Sequence, residues 1–221
     1  MLSQCIITLG GKGTRLSSIT NDIPKALYPI NEVSTLERAI NTLSMQGINS
    51  FIFLCGFKAD HFSDVISNLL LKYSVDIKIY VEKSPAGEAG SLIHVMEWLE
   101  DTFLFLNGDI VFNIDLFRFY RFHQDLSADI SIVTHISSHP HDSDCILEDS
   151  SKYVLTYKTK RDIIVDSGCY LGNAGLAILP KSVISNLYSY ISMLDKPDFF
   201  TGIIITALKN KYKVVSYNTS E

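Results

Sequence analysis

Short apolar runs of strand length alternate along this chain with stretches whose apolar residues recur every three or four positions, and that alternation is what most restricts its fold. Leu2 to Leu9 reads as a strand that runs directly into Gly10, Gly11, Lys12 and Gly13, a glycine-rich loop. Leu36, Ala39, Ile40 and Leu43 mark a helix, Ser50 to Cys55 a buried strand, and Phe62, Val65, Ile66 and Leu69 a second amphipathic helix. The pattern then repeats, with a strand at Val75 to Val81, a helix through Leu92, Ile93, Met96 and Leu99, and a buried strand at Phe103 to Leu106 that closes on Asn107, Gly108 and Asp109. Such alternation predicts a parallel sheet with helices on both faces.

The second half is less regular. Ala128 to Thr134 is strand-like, Ser137 to Asp144 is a polar loop, and Tyr153 to Tyr157 alternates as an edge strand would. Val183, Ile184, Leu187, Tyr188 and Ile191 form one helical stripe, Phe199, Phe200, Ile203, Ile204 and Ala207 another, and Tyr212 to Tyr217 reads as a last strand. No internal repeat or linker interrupts the chain, so the 221 residues are expected to form one α/β domain, its polar second half an insertion over the sheet's edge.

Composition narrows the function. With 47% hydrophobic and 19% charged residues and a formal net charge of -5, the chain has the balance of a globular protein and excludes disorder, collagen and coiled coil. No apolar run reaches the roughly 18 residues needed to cross a bilayer, and the N-terminus lacks a basic stretch ahead of a leader, so a cytoplasmic protein with no membrane partner is expected. Cys5, Cys55, Cys145 and Cys169 form no C-x-x-C pair and read as reduced, mostly buried thiols. Without a Lys/Arg cluster in a net negative chain, nucleic acid is not expected as a partner, although a local basic site stays open.

Charge is nevertheless unevenly placed. Residues 1 to 30 carry Lys12, Arg15 and Lys25 against Asp22 alone, so a net positive segment sits at the glycine loop of an acidic chain. Backbone N-H groups of such a loop, at the carboxyl edge of a sheet, can surround an anion, and each charge-assisted contact contributes roughly 1.5 to 3 kcal/mol. The loop is neither a dinucleotide fingerprint, since Leu16 stands where that needs Gly, nor a P-loop.

The runs "GGKGTRL", "IPKAL", "EKSPAGEAGSL", "NGDIVFNIDL" and "NAGLAIL" together resemble the sugar-1-phosphate nucleotidyltransferases across nearly the whole chain. Within that family the branch acting on D-glycero-D-manno-heptose 1-phosphate with GTP, including forms fused to a HAD-type phosphatase, is resembled through "SHPHDSD" and "YNTSE". The resemblance implies a Rossmann-like, three-layer, GT-A-like α/β fold with a mixed, mainly parallel central sheet. It also implies GTP and a sugar 1-phosphate as partners, Mg²⁺ as cofactor, GDP-sugar and pyrophosphate as products for bacterial surface glycan synthesis, and leaves a homodimer or a phosphatase partner domain open.

Transferred position by position, the resemblance places Leu9, Gly10, Gly11, Gly13 and Thr14 along the nucleotide, Arg15 on the outgoing pyrophosphate, and Lys25 across the two phosphates. Asp109, at the end of a buried strand, takes the Mg²⁺ position, which suits a hard carboxylate beside phosphates; Asp115 reads instead as a helix cap before Leu116. Glu82, five residues before Gly87, matches the base-reading position. Guanine presents N1-H and N2-H donors and an ionised carboxylate only accepts, so Glu fits guanine better than a pyrimidine. Asn107, Lys160 and Asn173 correspond to sugar and sugar-phosphate contacts, although Thr159 stands where relatives carry an acid, and Lys160 also reads as a plain surface lysine.

Two features depart from the family. Relatives carry a second metal-binding aspartate in a D-x-G-T-P stretch beyond the strand that ends here at Tyr217, and Gly202 stands where many have an acidic residue. These leave three expectations: a truncated domain, a metal site completed otherwise, or a weakly catalytic nucleotide-binding domain. Mannose 1-phosphate with GTP, or another sugar with UTP or dTTP, are the alternative substrates. The cluster His139, His141, Asp142 and Asp144 does not have zinc-site spacing, because Pro140 splits its histidines within a loop.

Overall fold

A computed structural model describes residues 2–10, 23–56, 59–83, 86–137, 144–158 and 170–218. Its centre is a nine-stranded mixed sheet. Strand β1 (Gln4–Thr8) lies between β4 (Ser50–Cys55) and β6 (Thr102–Asn107), parallel to both, and β5 (Asp76–Val81) extends the sheet parallel to β4. On the other side β10 (Tyr170–Pro180) runs antiparallel to β6 and to β7 (Ile130–Ser137), and β11 (Val214–Asn218) pairs parallel with β7. A hairpin of β8 (Cys145–Glu148) and β9 (Val154–Lys158) attaches to the start of β10, and a two-stranded ribbon of β2 (Pro29–Ile30) and β3 (Val33–Ser34) stands apart.

Burial on both faces explains why β1, β4 and β6 read as unbroken apolar runs rather than alternating ones. Ile6, Ile52, Phe105, Ala177 and Ile132 point to one side, into a core completed by α3 (Glu88–His94), α5 (Lys181–Ser192) and α6 (Ile205–Lys209). Ile7, Phe51, Phe53, Leu106 and Leu176 point to the other, toward α1 (Thr35–Ser44), α2 (Ser63–Tyr73) and α4 (Leu116–Asp125). Helix α1 shows how the sequence builds one layer. Ser34 caps it by accepting the Glu37 N-H at 3.2 Å, while Leu36, Ala39, Ile40 and Leu43, spaced for one helix face, are fully or almost fully buried.

Several elements depart from the periodicity. The helix expected through Leu99 ends at His94 and continues as a 3-10 turn at Met96–Trp98, because Val95 leaves helical geometry at φ -106°. The stripe from Phe199 to Ala207 is helical, but it opens with a π turn at Phe200–Ile204; the wider turn lets two consecutive rings, Phe199 and Phe200, both pack on Phe105. Helix α4 is capped by Asp115, whose Oδ1 accepts the Arg118 N-H at 3.0 Å. Cys5, Cys55 and Cys145 are free and buried, while Cys169 lies outside the described residues. No helix among the described residues is long and apolar enough to cross a membrane.

Candidate functional site

Strands β1, β4, β5 and β6 all end at one edge of the sheet, and the residues that follow them form the candidate site. After β1, Leu9 is buried and donates its N-H to Leu54 O at 2.8 Å, which carries the chain straight to Gly10. After β4, Gly56 faces Gly10 so closely that a Cβ on Gly56 would lie 3.2 Å from the Gly10 Cα. Two bare backbones therefore meet where the glycine loop begins. Gly11, Gly13, Thr14 and Arg15 lie outside the described residues.

After β6, Gly108 donates its N-H to Thr8 O at 3.0 Å, and a Cβ there would meet the same oxygen at 2.5 Å. Only glycine lets the chain cross so tightly over β1, and that crossing sets Asp109 beside the end of the sheet. Lys25 reaches the same point from a 3-10 turn that follows Pro24. Its Nζ donates to Asp109 Oδ2 at 2.6 Å, with both side chains about two-fifths exposed, at 40% and 44%. Thr35 ties the two backbones together: its buried hydroxyl lies 3.0 Å from Ala26 O and 3.4 Å from Gly108 O.

The pair leaves Asp109 able to serve a cation. One carboxylate oxygen faces Lys25, and the half-open position suits an ion held by a single protein carboxylate together with substrate phosphates, the arrangement Mg²⁺ favours. No group of three His, Cys, Asp or Glu capable of holding a metal occurs among the described residues.

Beyond β5, Glu82 donates its N-H to Cys55 O at 2.9 Å and turns its carboxylate toward Gly56. Its Oε1 accepts a hydrogen bond from the Ser91 hydroxyl, and its Oε2 would lie 3.3 Å from a Cβ on Gly56. Gly87 starts α3 at φ +76°, and a Cβ there would overlap Pro197 O. Next to it, Glu88 is half-buried where the Lys196 to Phe199 segment crosses the helix start, its Oε2 accepting the Phe199 N-H at 3.3 Å. Burial pushes its carboxyl up to about 7 against the pull of that hydrogen bond, and Asp198, Asp109 and Glu82 add to the rise. Gly202 has a steric reason as well: a Cβ there would lie 2.7 Å from Pro197 Cβ.

The last face comes from β10. Its register with β7 shifts between Asn173 and Ala177, a bulge that holds Gly175 at φ +79° and re-aims the chain at this edge. Asn173 donates to the Tyr157 hydroxyl at 3.1 Å and accepts the Gly175 N-H at 2.9 Å, while Tyr157 donates to Asp144 at 2.9 Å. Burial, with Asp144 alongside, holds the Tyr157 phenol well above its ordinary value. A Cβ on Gly175 would lie 3.0 Å from Asn107 Nδ2, so Asn107 also needs this glycine bare. Asn107 Oδ1 is buried and has no partner among the described residues, a cost of about 1 to 3 kcal/mol that a ligand donor would relieve.

The edge thus brings together Leu9, Gly10, Lys25, Glu82, Gly87, Asn107, Asp109 and Asn173, whereas Lys160 lies outside the described residues. Gly56, Ser91, Glu88, Thr35 and Tyr157 were not singled out from sequence. Gly56 had a usable signal, since it ends a buried strand just as Gly10 does. Ser91 and Glu88, inside the "SPAGEAGSL" run, had none beyond their neighbours.

A sequence profile described as nucleotidyl transferase matches residues 4–220. The D-glycero-alpha-D-manno-heptose 1-phosphate guanylyltransferase of Campylobacter jejuni is 38% identical over 117 residues, covering 51% of this chain and 50% of that protein. The probable glucose-1-phosphate cytidylyltransferase of Bacillus subtilis is 29% identical over 192 residues, 76% of this chain and 74% of that protein. The chain thus spans about half the length of the heptose relative it matches. Among solved structures, HddC from Yersinia pseudotuberculosis superposes with a TM-score of 0.78 at 24% identity, over 99% of this chain and 91% of that one, which shows a shared fold.

Proposed function

The chain belongs to the nucleotidyl transferase family, and on that premise we propose that residues 1–221 form one domain that joins a sugar 1-phosphate to GTP, releasing pyrophosphate. D-glycero-D-manno-heptose 1-phosphate is the sugar substrate favoured by the Campylobacter jejuni relative. The observation that carries the reading is the shared edge at which the Glu82 carboxylate faces the bare Gly56 backbone, itself against Gly10, while Lys25 and Asp109 lie paired at the end of β6. One end suits a purine with N-H donors; the other suits phosphates and a cation.

The reaction is an in-line attack of the sugar phosphate oxygen on the α-phosphorus. It asks the protein for positioning and positive charge rather than for a covalent partner. Lys25 is assigned to the phosphates, released from Asp109 as substrate oxygens compete for its Nζ. Arg15 is assigned to the pyrophosphate, and Leu9, Gly10, Gly11, Gly13, Thr14 and Gly87 to the nucleotide's passage along the edge. Mg²⁺, held by Asp109, would add charge against the developing negative phosphate oxygens. Asn107 and Asn173, with Lys160, are assigned to the sugar phosphate; the unpartnered Asn107 Oδ1 would accept a sugar hydroxyl.

A pyrimidine reading has one observation in its favour, the Bacillus subtilis cytidylyltransferase relative. Pyrophosphate release measured with GTP, UTP, CTP and dTTP, each paired with heptose, mannose and glucose 1-phosphates, separates the two. Turnover confined to GTP is expected, and Glu82→Gln should lower kcat/KM for GTP at least about tenfold more than for any pyrimidine nucleotide. Preferred turnover with CTP or UTP would overturn the assignment.

A further inference from the structure

We infer that Ser91 is the positioning residue for base selection, holding the Glu82 carboxylate in the one orientation that reads the purine edge. The inference rests on the guanylyl reading above and names a residue which that reading does not need. Ser91 lies on the buried side of α3 with no exposed surface, and its hydroxyl donates to Glu82 Oε1. On the far side of the carboxylate, Oε2 approaches Gly56, where even a Cβ would come within 3.3 Å. The side chain of Glu82 is thus clamped between a donor on α3 and a bare backbone at the end of β4, while its own N-H is fixed to Cys55 O.

The clamp has a chemical consequence. A carboxylate offers about four lone-pair positions, and Ser91 takes one of them on Oε1, leaving acceptor capacity on both oxygens for a pair of adjacent N-H donors. A free glutamate side chain samples several rotamers and loses that freedom on binding; one already held in place loses less. The side chain that orients the carboxylate therefore contributes to affinity for guanine without touching it. Inosine triphosphate, which lacks the 2-amino donor, is the probe that reports whether both oxygens are presented together.

The test is steady-state kinetics of the intact protein with GTP and with ITP, for Ser91→Ala, Ser91→Thr, Glu82→Gln and the Ser91→Ala/Glu82→Gln double variant, with melting temperatures alongside. Ser91→Ala should raise KM for GTP about tenfold with kcat little changed, as loss of a hydrogen bond to a charged group predicts, and should erode the preference for GTP over ITP. Ser91→Thr, which keeps the hydroxyl, should retain that preference. In the Glu82→Gln background Ser91→Ala should add little, because its effect passes through the carboxylate. If Glu82→Gln is selective against GTP but Ser91→Ala leaves the GTP to ITP ratio unchanged, or acts additively with Glu82→Gln, the positioning role is overturned while the base assignment stands. If Glu82→Gln lowers activity with all nucleotides equally, the base assignment itself falls, and the role of Ser91 with it.

Discussion

Replacing Glu88 by glutamine should stabilise the protein at neutral and alkaline pH and leave its stability nearly unchanged in mild acid. Desolvation pushes the Glu88 carboxyl up to about 7 in the folded chain, against an ordinary glutamate value of 4.5. Folded protein therefore keeps this proton to higher pH than unfolded protein does. Below about pH 4.5 the carboxyl is neutral in both states and costs nothing. As pH rises through that value and on through 7, the unfolded state releases the proton first, so stability falls, and it levels off once both states are ionised. At roughly 1.4 kcal/mol per pH unit, the gap between 4.5 and about 7 amounts to about 3 kcal/mol. Glutamine keeps the oxygen that accepts the Phe199 N-H and removes the charge that Asp198, Asp109 and Glu82 oppose. Urea unfolding with a chelator present, near pH 5 and near pH 8, should give a variant-minus-native difference about 2 to 3 kcal/mol larger at the higher pH. For a chain of this size that corresponds to a rise in Tm of about 5 to 10 °C. A difference that does not change between the two pH values would refute the reasoning, because it would mean the carboxylate is solvated or paired in the folded state.

Asp109→Asn should separate function from stability: a half-exposed ion pair contributes roughly 1 kcal/mol or less, so Tm should shift by only a few degrees, while kcat should fall at least about a hundredfold through loss of the cation and phosphate contacts. A matching loss in Tm, read by calorimetry, would make the Lys25 to Asp109 contact a structural one. Two glycines with positive φ should respond differently to alanine. At Gly47, φ +95° with nothing within 4 Å, the change should cost about 1 kcal/mol; at Gly87, φ +76° with Pro197 O in the way, it should cost about 2 to 4 kcal/mol, and equal costs in chemical denaturation would show that the steric contact is not what holds the Lys196 to Phe199 segment in place.

The regular half of the fold was readable because its signals are local. Each of β1, β4 and β6 is a buried run bounded by polar residues, and α1 carries its cap and its stripe within ten residues. Helix α4 was not readable beyond its cap: Leu116, Phe117, Phe119, Tyr120 and Phe122 place large apolar groups almost continuously, and only burial of Leu116, Phe119 and His123 shows which face turns inward. Strand β10 was missed for a different reason. "YLGNAGLAILP" contains two glycines and an asparagine, residues that read as a turn, and it becomes a strand because β6 and β7 supply partners on both sides.

The same distinction divides the candidate site. The end proposed for the phosphates is encoded by composition, since glycines and basic residues cluster within the first thirty positions. The strand-end rule places Asp109, because buried strands in one parallel sheet end at the same edge, whereas Lys25, 84 residues away, reaches it from a 3-10 turn. The end proposed for the sugar has no such rule. Asn107 and Asn173 both come to lie beside Gly175 only because β10 runs antiparallel to β6 and its register with β7 shifts there. An antiparallel insertion and a two-residue register shift are set by pairing energies across the whole sheet, which no local window contains. It follows that substitutions in the glycine loop should act on nucleotides of every base, whereas a change at Gly175 should alter which sugar is accepted and leave the nucleotide KM in place.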